Sequence, residues 1–254
     1  MTLTLTPLPE MPVVEPGDDL ITLVLDGLRS GGIALENGDI LVIAQKIVSK
    51  SERRMVDLAS VAPSEEALEL AQKTDKDPRL VDLILQESKS VLRTRPGTII
   101  VEHRLGFICA NAGIDHSNVS CSGQSGEWVL LLPKDPDASA RKLRERLEEK
   151  YGISLGVLII DSHGRAWRLG TAGVAIGFSG MPGLVDLRGR PDLFGRTLEI
   201  TQVGAADELA SAASLVMGQA AEGTPVVHAR GFPYELRDGQ LSELIRPEEE
   251  DLFR

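Results

Sequence analysis

The chain has 254 residues, 42% of them hydrophobic, and a formal net charge of −11. That length buries a core as one large domain or two modest ones, while the acidity argues against sequence-independent nucleic-acid binding, which depends on neutralising phosphates. The two cysteines, Cys109 and Cys121, form no CxxC pair and argue against a disulfide framework. No basic-then-apolar leader opens the chain, and no apolar run approaches the roughly 20 residues that span a bilayer. A soluble cytoplasmic protein is expected, binding neither membrane nor nucleic acid.

In chain order, apolar periodicity predicts a helix over 18–28 and a strand over 39–44. The segment Ala44-Gln-Lys-Ile-Val-Ser-Lys50 follows that strand directly. Helices are predicted over 64–72 and 78–86, the latter with Pro78 in its first turn. Short β-branched or Leu-rich runs predict strands over 98–101 and 128–132. A helix over 138–151 carries mixed charges on a solvated face and stops at Gly152. A strand over 157–160 follows, then a long loop over 180–196 rich in Gly, Pro and Arg. A strand over 198–203, a helix over 206–221 stopped by Gly223, and a strand over 225–229 complete the pattern, with an acidic, exposed tail over 247–251. The alternation is not strictly βαβ. An α+β (mixed α/β) fold with an irregular sheet and interleaved helices is therefore expected, rather than a doubly wound sheet, as a single domain over 1–254.

Two aspartates carry the chemistry. Asp115 closes Gly106-Phe-Ile-Cys-Ala-Asn-Ala-Gly-Ile-Asp-His-Ser-Asn118, and Asp161 closes the aliphatic run of Gly156-Val-Leu-Ile-Ile-Asp-Ser-His-Gly-Arg-Ala-Trp-Arg168. An ionised carboxylate is costly to bury alone, and a divalent cation is its natural counter-charge, since magnesium and manganese prefer oxygen ligands. Ser162 offers a second oxygen at what reads as the carboxyl end of a strand, and Asn118 a hydrogen-bonding amide. The alternative is that these residues cap their own turns. His116 and His163 read as ordinary loop residues, because no third nitrogen or sulfur ligand has zinc spacing.

Lys46 and Lys50 share one face if their segment is helical, and a helix start after a strand favours anions. It is not a P-loop, and paired lysines are usually just solvated. Arg165 and Arg168, and Arg188, Arg190 and Arg196 of the long loop, are candidates to grip an anionic substrate; internal Arg–Asp pairs explain the loop cluster equally well. Gly218 and Gln219 near the end of a small-residue helix either line a pocket or form a helix stop.

In combination these segments resemble the γ-glutamyl ligases that add L-glutamate to the deazaflavin coenzyme F-420. The resemblance runs through Pro7-Leu-Pro-Glu-Met11, Gln45-Lys-Ile-Val-Ser-Lys50, Gly113-Ile-Asp-His-Ser-Asn118, Leu132-Pro-Lys-Asp-Pro-Asp-Ala-Ser139, Asp161-Ser-His-Gly-Arg-Ala-Trp-Arg168, Met217-Gly-Gln219 and Pro225-Val-Val-His-Ala-Arg-Gly231. It implies a GTP-dependent amide-forming ligase and an intertwined homodimer. It implies two divalent cations, magnesium or manganese, and admits potassium as a further ion. Position by position, Asp115 and Asp161 look like ligands of one metal, Ser162 and Gln219 of the second. Leu8, Pro9, Glu10, Met11, Gln45, Lys46, Lys50, Asn118, Met217, Gly218, Gln219, Ala220, Ala221, Glu222, Gly223 and Thr224 look like the GTP contacts. The family often has Thr where this chain has Ser162, which keeps the hydroxyl. A flavin-binding domain fused C-terminally in some relatives is not expected here. The implied partners are GTP, L-glutamate and the deazaflavin precursor. The rival readings are transfer of glutamate to another, folate-like carboxylate, and a GTP- or metal-binding protein without catalysis.

Overall fold

Ile40–Ala44 forms the central strand of a five-stranded sheet whose strands lie in the order Thr4–Pro7, Val226–Arg230, Ile40–Ala44, Gly156–Arg165 and Arg168–Ser179, and it is the second strand of the chain, β2. A computed structural model describes residues 2–116, 119 and 126–252 of the chain. Its elements run β1 (Thr4–Pro7), α1 (Leu20–Ser30), β2, α2 (Gln45–Ser51), β3 (Met55–Asp57), α3 (Glu65–Thr74), α4 (Pro78–Gln86), β4 (Ser88–Arg95), β5 (Thr98–His103) and β6 (Ile108–Ala110). They continue with β7 (Trp128–Leu130), α5 (Pro136–Tyr151), β8 (Gly156–Arg165), β9 (Arg168–Ser179), β10 (Val185–Asp186), β11 (Gln202–Val203), α6 (Ala205–Met217) and β12 (Val226–Arg230). The fold is mixed α+β, as the interleaved periodicities predict.

Both faces of the main sheet are apolar, which is why β2 and the first half of β8 read as unbroken aliphatic runs. Leu41, Ile43, Val157 and Ile159 face one way and pack with Val24 and Leu28 of α1 and Leu143 and Leu147 of α5. Ile40, Val42, Leu158 and Ile160 face the other way, onto Ala206, Leu209, Ala210 and Ala213 of α6. A separate apolar cluster joins α3 and α4 to β5 and β7, beside the small β4-β5-β6 sheet. Local signals set the helix ends. Asp77 accepts from the Arg79 N–H ahead of Pro78, Asp135 caps Ala138, and Gly152 closes α5 at φ 68°.

α6 lies so close to β9 that a Cβ at Gly173 would sit 2.5 Å from the Ala210 carbonyl and 2.6 Å from Ser214 Cβ. Ser211 Oγ bonds the Gly173 carbonyl at the same place. Gly173→Ala is therefore expected to cost about 1–3 kcal/mol by overpacking, read as a lower denaturation midpoint at unchanged m-value.

Four expectations are corrected. The strand carrying Asp161 does not end there: β8 runs on to Arg165, paired with β9, with Asp161 opposite Val174. The aliphatic run stops because β2 ends at Ala44, opposite Ile160, so the later half of β8 is no longer covered by a neighbour on that side. Of the strand expected over 198–203, only Gln202–Val203 pairs, with Val185–Asp186, and Ile200 is exposed. The last long helix ends at Met217, where Gly218 at φ 74° turns the chain, and not near Gly223. His163 lies on β8 rather than in a loop. β1, β4 and β9 escape the apolar pattern; β4 is exposed along most of its length and so carries no alternation.

Candidate functional site

Topology brings four chain segments to one end of the sheet. β2 and β8 are parallel, so Gln45 and Asp161 follow paired residues. β12 is antiparallel to β2, so the residues before Val226 lie at that same end, where Ala44 N–H donates to the Pro225 carbonyl. β1 is antiparallel to β12, and the chain leaves it there through Leu8, whose N–H donates to the Val226 carbonyl. Between them opens a cavity of about 720 Å³, lined by residues 11–14, 44–47, 110, 113–115, 160–164 and 217–225 with Lys50, Thr171 and Ser214.

A β-bulge in β9 between the Ile159 and Ile160 pairings precedes Asp161, a device that re-aims side chains beside sites. Successive strand residues then point to opposite faces. Asp161 turns toward His163, whose Nε2 lies 2.9 Å from Oδ2. Ser162 turns toward the end of α6, where its hydroxyl donates to Gln219 Oε1 at 2.8 Å and Gln219 Nε2 donates to Ser214 Oγ at 2.9 Å. Asp115 arrives from the other side, bridged to Leu130 through paired backbone hydrogen bonds. Gln45 Nε2 donates to Asp115 Oδ2 at 2.7 Å, and Lys46 Nζ lies 3.5 Å from Oδ1. Ser49 donates to Gln45 Oε1 and so keeps the amide N–H turned to the aspartate.

Burial raises the Asp115 carboxyl above its ordinary range; Lys46 opposes this, and the Asp161 charge adds to it. The two carboxylates line one cavity, and the Asp161 charge disfavours the ionised form of Asp115. Among the described residues no group of three or more His, Cys, Asp or Glu side chains is placed to hold a metal ion. The available donors are carboxylate, hydroxyl and amide oxygens, a set that suits magnesium or manganese completed by water and phosphate. Cys109 offers no nucleophile, since burial first and the Asp161 charge second push its thiol up to about 12.

Of the residues singled out in the sequence, Met11, Gln45, Lys46, Lys50, Asp115, Asp161, Ser162, Met217, Gly218, Gln219, Ala220, Ala221, Glu222, Gly223 and Thr224 line this cavity. Leu8 is fully buried in the core, and Pro9 and Glu10 do not line the cavity. Arg165 and Arg168 flank the β8–β9 turn outside it. Arg188 is paired with Asp186, and neither it nor Arg190 is a lining residue. Asn118 and Cys121 lie outside the described residues. The composition of the long loop signals cationic character, but not where its side chains point.

A family model described as F420-0:Gamma-glutamyl ligase matches residues 9–231. The chain is 49% identical over 246 residues to the coenzyme F420:L-glutamate ligase of Methanothermobacter thermautotrophicus, covering 96% of each. It is 48% identical to that of Methanopyrus kandleri, covering 100% of this chain and 98% of the relative. For that of Archaeoglobus fulgidus the identity is 41%, covering 100% and 97%. This chain belongs to the F420-0:γ-glutamyl ligase family.

Several residues of this family member escape the sequence reading. Val13, Val14, Thr171 and Ser214 line the cavity without any motif to mark them. His163 was legible in principle, because the i, i+2 spacing on a strand puts it on the same face as Asp161. Behind it, His103 is 2% exposed, and burial foremost lowers its pKa to about 4 from an ordinary 6.5. The unfolded chain takes up that proton below 6.5 and the folded chain only near 4. Stability is therefore full above pH 6.5 and declines as pH falls toward 4, by up to about 3 kcal/mol. Urea unfolding at stepped pH is expected to reveal that loss in the wild type, and a shallower one in His103→Gln.

Proposed function

We propose that this chain is a GTP-dependent ligase that joins the amine of L-glutamate to a carboxylate of the deazaflavin coenzyme F-420 precursor as a γ-linked amide. The observation that carries the reading is the convergence of Asp115, Asp161, Ser162 and Gln219 on one cavity that Lys46 and Lys50 also enter. A carboxylate is a poor electrophile and needs activation. The γ-phosphoryl group of GTP passes to a carboxylate oxygen, releasing GDP and leaving an acyl phosphate. The glutamate nitrogen attacks the acyl carbon and loses a proton, and phosphate departs. No side-chain nucleophile is required; positioning and charge stabilisation do the catalysis.

Asp115 with Asp161, and Ser162 with Gln219, would hold two divalent cations, which supply neutralisation of phosphoryl charge when bound. Lys46 and Lys50 steady phosphates, and the 217–224 turn, closed by the Thr224 hydroxyl on the Met217 carbonyl, cradles the nucleotide. Arg165, Arg168, Arg188 and Arg190 meet the anionic coenzyme and glutamate outside the cavity lining. The reading places the protein in the cytoplasm, and the free thiol of Cys109 fits a reducing compartment.

Incubation with GTP, manganese, L-glutamate and the deazaflavin acceptor tests the reading by mass spectrometry. A glutamyl increment on the acceptor with GDP release is expected, and no increment sinks it. GDP release only with another carboxylate moves the activity to that acceptor.

The reading includes an intertwined homodimer. Trp167 and Leu169 at the β8–β9 turn, and Leu193, Phe194 and Ile200 in the following loop, are each at least 87% exposed, and large exposed apolar groups mark contact surfaces. Light scattering in solution is expected to give twice the chain mass of 27.4 kDa; a monomer at assay concentration rejects the dimer.

A further inference from the structure

His163 and Asp161 stand two residues apart on β8 and so share a face. An ionised carboxylate only accepts hydrogen bonds, so at 2.9 Å the His163 Nε2 carries the proton and donates it to Oδ2. The imidazole is itself held from behind. Its centroid lies 5.2 Å from the Phe107 ring, tilted by 53°. Phe107 stacks on His103 at 5.1 Å and 8°. The buried His103 accepts the Leu105 N–H at Nδ1, and its backbone N–H donates to the Phe107 carbonyl. A column of three rings, anchored in a closed turn, thus reaches from the interior to the cavity and ends on one carboxylate oxygen.

Asp115 is handled differently, with Gln45 and Lys46 on its two oxygens. We propose that His163 is the positioning residue of Asp161: it holds Oδ2 so that Oδ1 is presented to a divalent cation. This rests on the reading of Asp161 as a cation ligand. Groups that hydrogen-bond a ligating carboxylate fix its orientation, and their loss typically weakens metal binding about 10- to 100-fold. The aromatic backing makes the effect one of geometry rather than of charge, because Phe107 packs against the imidazole independently of any cation.

Two polar variants isolate the hydrogen bond. In His163→Gln the terminal amide nitrogen takes the place of Nε2; in His163→Asn the amide reaches only the place of Nδ1. Binding of Mn²⁺ to the full chain is measured by the electron paramagnetic resonance of the free ion, with circular dichroism confirming the fold of each variant. The Gln variant is expected to bind close to wild type and the Asn variant about 10- to 100-fold more weakly. The concentration of Mn²⁺ that half-saturates glutamyl transfer is expected to shift in parallel, and turnover at saturating metal far less. Asp161→Asn is measured alongside. If it loses the tight Mn²⁺ site while His163→Asn keeps it, His163 does not position the ligand and only this proposal falls. If Mn²⁺ binding is unchanged in Asp161→Asn as well, the cation reading of Asp161 fails and this proposal falls with it.

Discussion

Replacing Asp161 or Asp115 by asparagine is expected to cut glutamyl transfer at least about 100-fold, with little change in thermal stability. Asparagine keeps the volume and one oxygen but removes the charge, so several kcal/mol of charge stabilisation on the transferring phosphoryl group is lost, at about 1.4 kcal/mol per tenfold in rate. Stability is spared because burial already opposes a charge at Asp115. Asp115 is held above its ordinary range by burial and by the Asp161 charge, so neutralising either member of the pair relieves repulsion. The double variant should be no worse than the poorer single one, since the two act as a unit. Initial rates by mass spectrometry, with denaturation midpoints for the same preparations, check both halves. Activity near wild type in either single variant removes that aspartate from the site.

The second large effect lies at the opposite end of the sheet. Asp39 is 1% exposed and accepts from Arg230 Nε at 2.8 Å, from Arg230 Nη2 at 2.7 Å and from the Glu36 N–H at 2.8 Å, with His228 Nε2 also 2.8 Å away. Burial alone would raise its carboxyl; the Arg230 and His228 contacts more than offset that and hold it below the ordinary carboxylate range. A depressed folded pKa means the contribution is present above the ordinary value of 3.8 and is lost as pH falls through the folded one. Asp39→Asn takes the buried carboxylate from Arg230, whose side chain is 38% exposed and keeps Glu36 at 2.7 Å. It is expected to cost about 2–3 kcal/mol at pH 7, or roughly 6 °C in Tm for a chain of this length. The gap from wild type should narrow in acid as the native carboxyl protonates. Equilibrium unfolding at pH 7 and at pH 3 measures both, and equal stability at pH 7 contradicts the assignment. Catalysis per folded molecule should be untouched, because Asp39 is not among the residues lining the cavity.

The legible parts of this fold are those whose cause is local. Asp77 followed by Pro78 sets the start of α4, and its apolar period carries it to Gln86, the same bounds that the pattern predicts. Gly152 stops α5 for the same local reason. β2 and the first half of β8 announce themselves as aliphatic runs because both faces of the central sheet are covered. β4 stays silent since it buries little, and β9 since its glycines, one of them needed for the close approach of α6, dilute the apolar pattern.

At the site the division is similar. The residue types at Asp115, Asp161, Ser162 and Gln219 offer oxygen donors, and Lys46 and Lys50 offer positive charge, before any geometry is known. Which of the remaining candidates enter is a matter of register and topology. The arginines are identical in kind to a binding group, yet the turn and loop that bear them lie outside the cavity lining. His163 reads as a loop residue until β8 is seen to continue past Asp161.

The oxygen-donor residues, the apolar sheet and most helix boundaries are legible along the chain, because caps, periodicity and residue type act over a few neighbouring positions. Long-range pairing brings Asp115 and Asp161 to one cavity and lets Ser162 meet Gln219. It also sets His163 against a column of rings. Those meetings depend on the parallel pairing of β2 with β8, the bulge in β9 and the close seat of α6. They are long-range hydrogen-bond and packing choices that leave no periodic trace along the chain.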